Sequence, residues 1–159
     1  MKKFGFLLLM VFALVFTGCE GPRGYPGYDG LDGYVNMETR TFTVKSKDWR
    51  LYGEPNAYGS YYYYDFQVGN FIDNYIIEKG AIIGSIIFND GDIKVQSPLP
   101  YIIYKGMNGS NGNEILWAEK YTAEYNSGNI RFIVDYNDFM TNDASPGDIS
   151  YKITVAWGE

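Results

Sequence analysis

The chain has no histidine and one cysteine, Cys19, among its 159 residues. Those shortages exclude Cys/His zinc sites, Ser-His-Asp and Cys-His nucleophilic machinery, histidine pH switches and internal disulfides. Basic residues are also scarce: 13 Lys and Arg stand against 19 Asp and Glu, for a formal charge of -6. Loss of a leader through Gly18 would take Lys2 and Lys3 with it and leave 11 basic against 19 acidic side chains, a balance of -8. A surface of that sign speaks against nucleic acid as a partner. It also opposes electrostatic docking on anionic lipid, so membrane attachment has to be covalent. Carboxylate, tyrosine and lysine chemistry remain open, and no cofactor is expected. At 46 % apolar and 20 % charged residues, the composition is that of a folded globular chain rather than a disordered one.

The one long apolar run is N-terminal. Lys2 and Lys3 precede residues 4–16, apolar except for Gly5, and the run ends in Thr17 and Gly18 just before Cys19. This is the layout of a secretory signal peptide. Its apolar part would reach only about 20 Å as a helix, short of the roughly 30 Å hydrocarbon core, so a permanent membrane span is the weaker reading. Phe16-Thr17-Gly18-Cys19 resembles the lipobox of bacterial lipoproteins, with Phe16 in place of the usual aliphatic residue. The resemblance implies cleavage before Cys19 and its lipidation, which would remove an otherwise unpaired thiol from an oxidising compartment. An unmodified cysteine beside an ordinary cleavage site is the alternative. Several acyl chains would hold the protein where one chain is marginal, at about 0.8 kcal/mol per buried methylene.

After Glu20, glycine occupies every third position: Gly21, Gly24, Gly27, Gly30 and Gly33. This is the collagen period, set by an axis at which only glycine fits. The run is short and carries only Pro22 and Pro26, so it reads as a solvated tether, roughly 40 Å long in polyproline II and nearer 20 Å as a coil. A trimerisation stem is the alternative. The chain therefore divides into a lipoprotein signal peptide (1–18), a lipidated cysteine with its collagen-like tether (19–33) and a folded domain (34–159). A monomer is expected, with a trimer as the other possibility.

Beyond the tether the period becomes two. Residues 40–46 place Phe42 and Val44 on one face, and residues 58–68 place Tyr62, Tyr64, Phe66 and Val68 opposite Tyr61, Tyr63, Asp65 and Gln67. Residues 81–88 are apolar on both faces, which predicts a central strand that is either covered on two sides or flanked by large neighbours. Asn89-Asp90-Gly91-Asp92 marks a turn back into residues 93–96, and Pro98 and Pro100 predict an edge or a crossover before residues 101–105. Three further faces follow: Ile115, Trp117, Tyr121, Ala123 and Tyr125; Ile130, Phe132, Val134 and Tyr136; and Ile149, Tyr151, Ile153, Val155 and Trp157. Asn126-Ser127-Gly128-Asn129 joins the first two as a hairpin, and residues 137–147 suit a crossing between sheets. One short helix is expected over residues 71–79, capped by Asn70 and stopped by Gly80. About seven or eight strands with turns between them predict an all-β fold, an antiparallel β-sandwich, with a partly closed barrel as competitor.

The lipobox, the glycine triplets and a domain carrying Thr43-Val44-Lys45 and then Asp48-Trp49 together resemble the small collagen-like lipoproteins of gram-negative bacteria. Ile77-Glu78-Lys79-Gly80-Ala81, Pro98-Leu99-Pro100-Tyr101 and the hairpin at Asn126 are similar to that family as well. The resemblance covers nearly the whole chain and implies a lipid-anchored outer-membrane protein, on the periplasmic face or the cell surface. It brings no catalytic residue with it.

Trp49, Tyr52, Tyr58, Tyr61 and Tyr63 are the candidate ligand-binding residues, since a row of exposed rings would stack on sugar faces or anchor a protein partner. The competing reading is that these rings only shield the sheet. Asp90 and Asp92, or Asp135, Asn137, Asp138, Asn142 and Asp143, offer oxygens that calcium accepts, but neither group has a recognised spacing, and no metal site is assigned. Trp117 and Trp157 are in phase with core faces and read as structural. Residues 108–113 read as a hairpin end rather than a phosphate cradle. The expected function is a non-enzymatic cell-envelope binding module for a glycan or a protein. A passive envelope component is the alternative, and a carboxylate-based glycoside hydrolase the distant one.

Overall fold

The computed structural model describes residues 33–90, 92–108, 114–138, 141 and 145–158. The expected signal peptide and Cys19, with the expected tether as far as residue 32, lie outside the described residues. Among the described residues there are nine strands: β1 (Val35–Val44), β2 (Arg50–Tyr52), β3 (Tyr61–Gly69), β4 (Ala81–Asp90), β5 (Ile93–Pro98), β6 (Tyr101–Asn108), β7 (Glu114–Asn126), β8 (Gly128–Tyr136) and β9 (Ile149–Gly158). They form two antiparallel sheets, in the orders β1-β9-β4-β5 and β2-β3-β8-β7-β6. The fold is therefore an all-β sandwich, and no barrel closes among the described residues.

Alternation decides which side of each strand is inside. Phe132 on β8 and Tyr151 on β9 come from opposite sheets and stack at 3.9 Å and 10° at the centre of the core. Around them Val44, Ile130, Val134, Ile153 and Val155 are fully buried, and each such side chain contributes on the order of 1.5–3 kcal/mol by leaving water. Phe42 on β1 reaches Phe66 on β3 at 5.2 Å and Phe132 at 6.1 Å, tying the edge strand across the sheets. Tyr62, Tyr64, Phe66 and Val68 lie on the core side of β3 as the period requires.

Both predicted crossings exist. The Pro98–Pro100 segment carries the chain from β5 in one sheet to β6 in the other, and residues 137–148 carry it from β8 back to β9. The Asn126 hairpin turns through Gly128, whose φ of +80° lies in the left-handed region that glycine enters without a Cβ clash. At Gly84 on β4 the two sheets meet closely: a Cβ there would lie 2.2 Å from the Tyr125 hydroxyl of β7. Burial pushes the Tyr125 phenol up to about 12.

Two expectations need correction. The helix, α1, spans Asn74–Lys79, and its cap is Asp73, whose Oδ1 accepts the Ile76 N–H at 2.8 Å; Asn70 precedes it and does not cap it. Strand β3 starts at Tyr61, so Tyr58 sits in the preceding turn. Strand β4 takes the second of its two expected arrangements, flanked by β9 and β5, while Ile83 on its outer side is 60 % exposed. The three-residue edge strand β2 has no counterpart in the periodicity, being too short to show one.

Candidate functional site

The outer face of β3 carries the predicted tyrosines. Antiparallel register sets Tyr52 of β2 directly across from Tyr61, and the two rings stack at 4.7 Å and 19°. Tyr63, two residues on and therefore on the same face, meets Tyr61 edge-on at 6.4 Å. Arg131 of β8 lies opposite Asp65 and holds it with two bonds, Nε to Oδ1 at 2.8 Å and Nη2 to Oδ2 at 3.1 Å. The same guanidinium lies 4.7 Å over the Tyr63 ring. Its hydrogen bonds hold the Asp65 carboxyl below the usual carboxylate range. Both partners are partly solvated, so the pair adds at most about 1 kcal/mol to stability. The structure thus brings Tyr52, Tyr61 and Tyr63 into one row.

The other two predicted residues stand apart. Tyr58 is 93 % exposed in its turn. Trp49 is buried, with its indole N–H donating to the Gly147 carbonyl at 3.1 Å, so it packs inward instead of joining the row, in which Tyr52 is exposed and Tyr61 and Tyr63 are half-buried rather than exposed as expected. Closeness along the chain did not translate into a shared face, because the chain turns from the 3-10 segment Ser46–Asp48 into β2 at that point.

A second feature lies at the end of the sandwich where β8 crosses to β9. Pairing between β4 and β9 stops at Ile87 and Ser150, while β4 runs on against β5 alone; pairing between β7 and β8 stops at Glu119 and Tyr136, while residues 114–118 pair only with β6. Two hairpins therefore overhang the core, and between them opens a cleft of about 1060 Å³. Its lining includes Ile86 and Phe88 from β4, Trp117, Glu119 and Tyr121 from β7, Lys105 and Met107 from β6, and Pro146 to Asp148 from the crossing. Trp49, through Gly147, buttresses that last wall. Asn137 fastens its start, donating its N–H to the Ala118 carbonyl and accepting the Ala118 N–H on its side chain at 2.7 Å.

Glu119 organises the cleft. It is only 7 % exposed, yet its Oε1 accepts from Lys105 Nζ at 2.9 Å and from the Trp117 indole N–H at 3.2 Å, while Oε2 accepts from the Tyr121 hydroxyl. Burial alone would raise this carboxyl, but the three donors and the nearby ammonium outweigh it and hold Glu119 below the ordinary glutamate range. Burial, and then the Glu119 carboxylate, push the Tyr121 phenol far up. Tyr121 in turn lies 6.2 Å from Tyr101, which stacks on Phe88 at 5.4 Å. On the opposite wall, Lys45 Nζ meets Asp148 at 2.9 Å. Glu119 was missed in the sequence because a carboxylate interrupts an apolar series. The signal was nonetheless present, since Ile115, Trp117, Glu119 and Tyr121 share one parity.

Among the described residues no group of three or more Asp, Glu, Cys or His is placed to hold a metal ion; Asn142 and Asp143 lie outside them. Among the same residues no helix is long and apolar enough to cross a membrane. No family model, curated protein or solved structure matches the chain.

Proposed function

We propose that the chain is an exported envelope lipoprotein, anchored to the outer membrane through acylated Cys19, whose β-sandwich is a non-enzymatic module that binds a protein partner through the tyrosine row. The lipobox and glycine triplets support the anchor and the tether. The observation that carries the binding reading is the contiguous row of Tyr52, Tyr61 and Tyr63 on an outer sheet face, with Tyr52 55 % exposed. Its geometry favours protein over glycan. Tyr52 and Tyr61 each cover one face of the other, Arg131 covers one face of Tyr63, and Tyr61 and Tyr63 are half-buried, so the row presents mainly edges and hydroxyls. A sugar needs an open ring face, whereas tyrosine edges and hydroxyls with an adjacent arginine suit a protein interface.

The absence of enzymatic activity is supported by the ionisation of the cleft. Glycoside hydrolysis requires one carboxyl kept protonated by a raised pKa. Glu119 is held low by its donors, and Asp148 by its hydrogen bond from Lys45, so both stay ionised.

The binding test is photocrosslinking in the intact cell envelope, with a crosslinking amino acid at position 61 and a control at Lys152 on the other sheet. A discrete adduct from position 61 that disappears when Tyr52 and Tyr63 become Ala is expected. Equal, diffuse labelling at both positions would instead make the protein a passive envelope component. For the anchor, mass spectrometry of the native N-terminus should find an acylated Cys19, and Cys19→Ala should move the protein out of the membrane fraction.

A further inference from the structure

The cleft between the overhanging hairpins is distant in kind from the tyrosine row: concave, aromatic-walled and built around a buried carboxylate. Its charges cancel. Lys45, Lys94 and Lys105 line it together with Glu119, Asp138 and Asp148. An anionic ligand would meet three carboxylates and a cationic one three ammonium groups, so the cleft favours a ligand without net charge.

Its polar groups come as donor–acceptor pairs held side by side. Lys105 Nζ uses one of its three hydrogens on Glu119. The Glu119 carboxylate offers roughly four lone-pair directions and fills three of them with Lys105, Trp117 and Tyr121. The pair therefore retains an acceptor beside donors, which is the complement of a vicinal diol, where one hydroxyl donates and its neighbour accepts. Trp117 stands two residues away on the same strand face, half-buried, with its ring plane fixed by the indole bond to Glu119. That gives a flat apolar surface next to the diol clamp, the combination a pyranose ring uses through its C–H face and its hydroxyl edge. An acyl chain of the same volume would offer the Glu119–Lys105 pair nothing while stripping its water. At about 1060 Å³ the cleft exceeds the roughly 300–1,000 Å³ typical of small-molecule sites, so it takes several linked rings rather than one.

We propose that this cleft is a second binding site, specific for a neutral oligosaccharide, in which Trp117 stacks on a sugar ring and the Glu119–Lys105 pair clamps adjacent hydroxyls. It does not depend on the tyrosine row or on the partner assigned to that row.

The test uses the purified full-length chain with three probes: maltotetraose, cellotetraose and tetra-N-acetylchitotetraose. Calorimetry and tryptophan fluorescence should show saturable one-site binding of at least one of them. Trp117→Ala and Lys105→Met should each weaken that binding by about tenfold or more, the first by removing the stacking face and the second a donor. Tyr61→Ala should leave it unchanged, which separates this site from the protein-binding row. Lys105 is 42 % exposed, so its variant keeps the proposal testable should Trp117→Ala fail to fold. Absence of saturable binding for all three probes overturns the proposal. So does binding that survives in folded Lys105→Met at wild-type strength, or binding that is lost in Tyr61→Ala.

Discussion

The two tyrosine-bearing surfaces of this sandwich use the same residue types to opposite ends. On the outer face of β3, Tyr52, Tyr61 and Tyr63 lean on one another and on Arg131, with the charge pair in partial contact with water. In the cleft, Tyr121 and Trp117 converge on Glu119, which is almost wholly desolvated. The first arrangement can be dismantled with little cost to the fold, because water replaces each lost contact. The second cannot, since every donor left behind in the cleft loses its acceptor. Tyrosine content by itself therefore says little about where stability resides; solvent access to the hydroxyl and its partner decides it.

The sharpest way to break this contrast is Glu119→Ala. It should destabilise the domain by about 3 kcal/mol in urea unfolding, since it strands the Tyr121 hydroxyl, the indole N–H and the inner side of Lys105. A loss below about 1 kcal/mol would mean that the cluster is as solvated as the outer row. Acid titration gives a somewhat smaller effect. Because the folded Glu119 carboxyl lies below its ordinary value of 4.5, its contribution is complete above that pH and fades as pH falls through the folded value. Glu119→Gln should therefore flatten part of the loss of stability below pH 4.5, as seen by denaturation at stepped pH. Unchanged acid sensitivity would locate the responsible carboxylate elsewhere.

Tyr151 offers a third environment between these two: its hydroxyl is buried and has no hydrogen-bond partner among the described residues. Tyr151→Phe keeps the stack on Phe132 and removes the unmet hydroxyl, so stability should rise by about 1 kcal/mol and the melting temperature by about 3 °C. A fall in melting temperature would reveal a partner for that hydroxyl. The smallest effect belongs to the outer row. Tyr52→Ala should shift stability by only about 0.5 kcal/mol in the same unfolding assay while weakening the adduct formed from position 61. A larger shift would make the row a structural element first and a binding surface second.

Much of the fold was legible because the period of two survives burial. Phe42 and Val44, the core series on β3, and the series from Ile130 and Ile149 all face inward as their spacing requires. The crossovers at Pro98 and before Ile149 were readable from turn chemistry. What failed was local competition and the third dimension. Asp73, three residues before Ile76, captured the helix cap that Asn70 was expected to hold. Trp49 was grouped with its sequence neighbours, although the chain reverses between it and β3 and aims its indole at Gly147. The pairing of β1 with β9, which brings Val44 beside Ile149, has no signature in either strand alone. Of the five rings grouped in the sequence only Tyr52, Tyr61 and Tyr63 share one face, and there Tyr52 stacks on Tyr61. The cleft has no signature in the apolar pattern of β7, because its inward acidic position, Glu119, interrupts that pattern.

The overhang of β7 carries a further consequence for motion. Of its thirteen residues only Glu119 to Tyr121 are laddered on both sides; residues 114–118 are bonded to β6 alone and residues 122–126 to β8 alone. A strand supported on one edge opens in smaller, cheaper fluctuations than one supported on two. Amide hydrogens should therefore exchange with deuterium quickly near Glu114 and slowly from Glu119 to Tyr121, giving a gradient along one continuous strand. The jaw that carries Trp117 can breathe while the floor beneath it stays shut, so uptake and release of a guest need not disturb the hydrophobic interior.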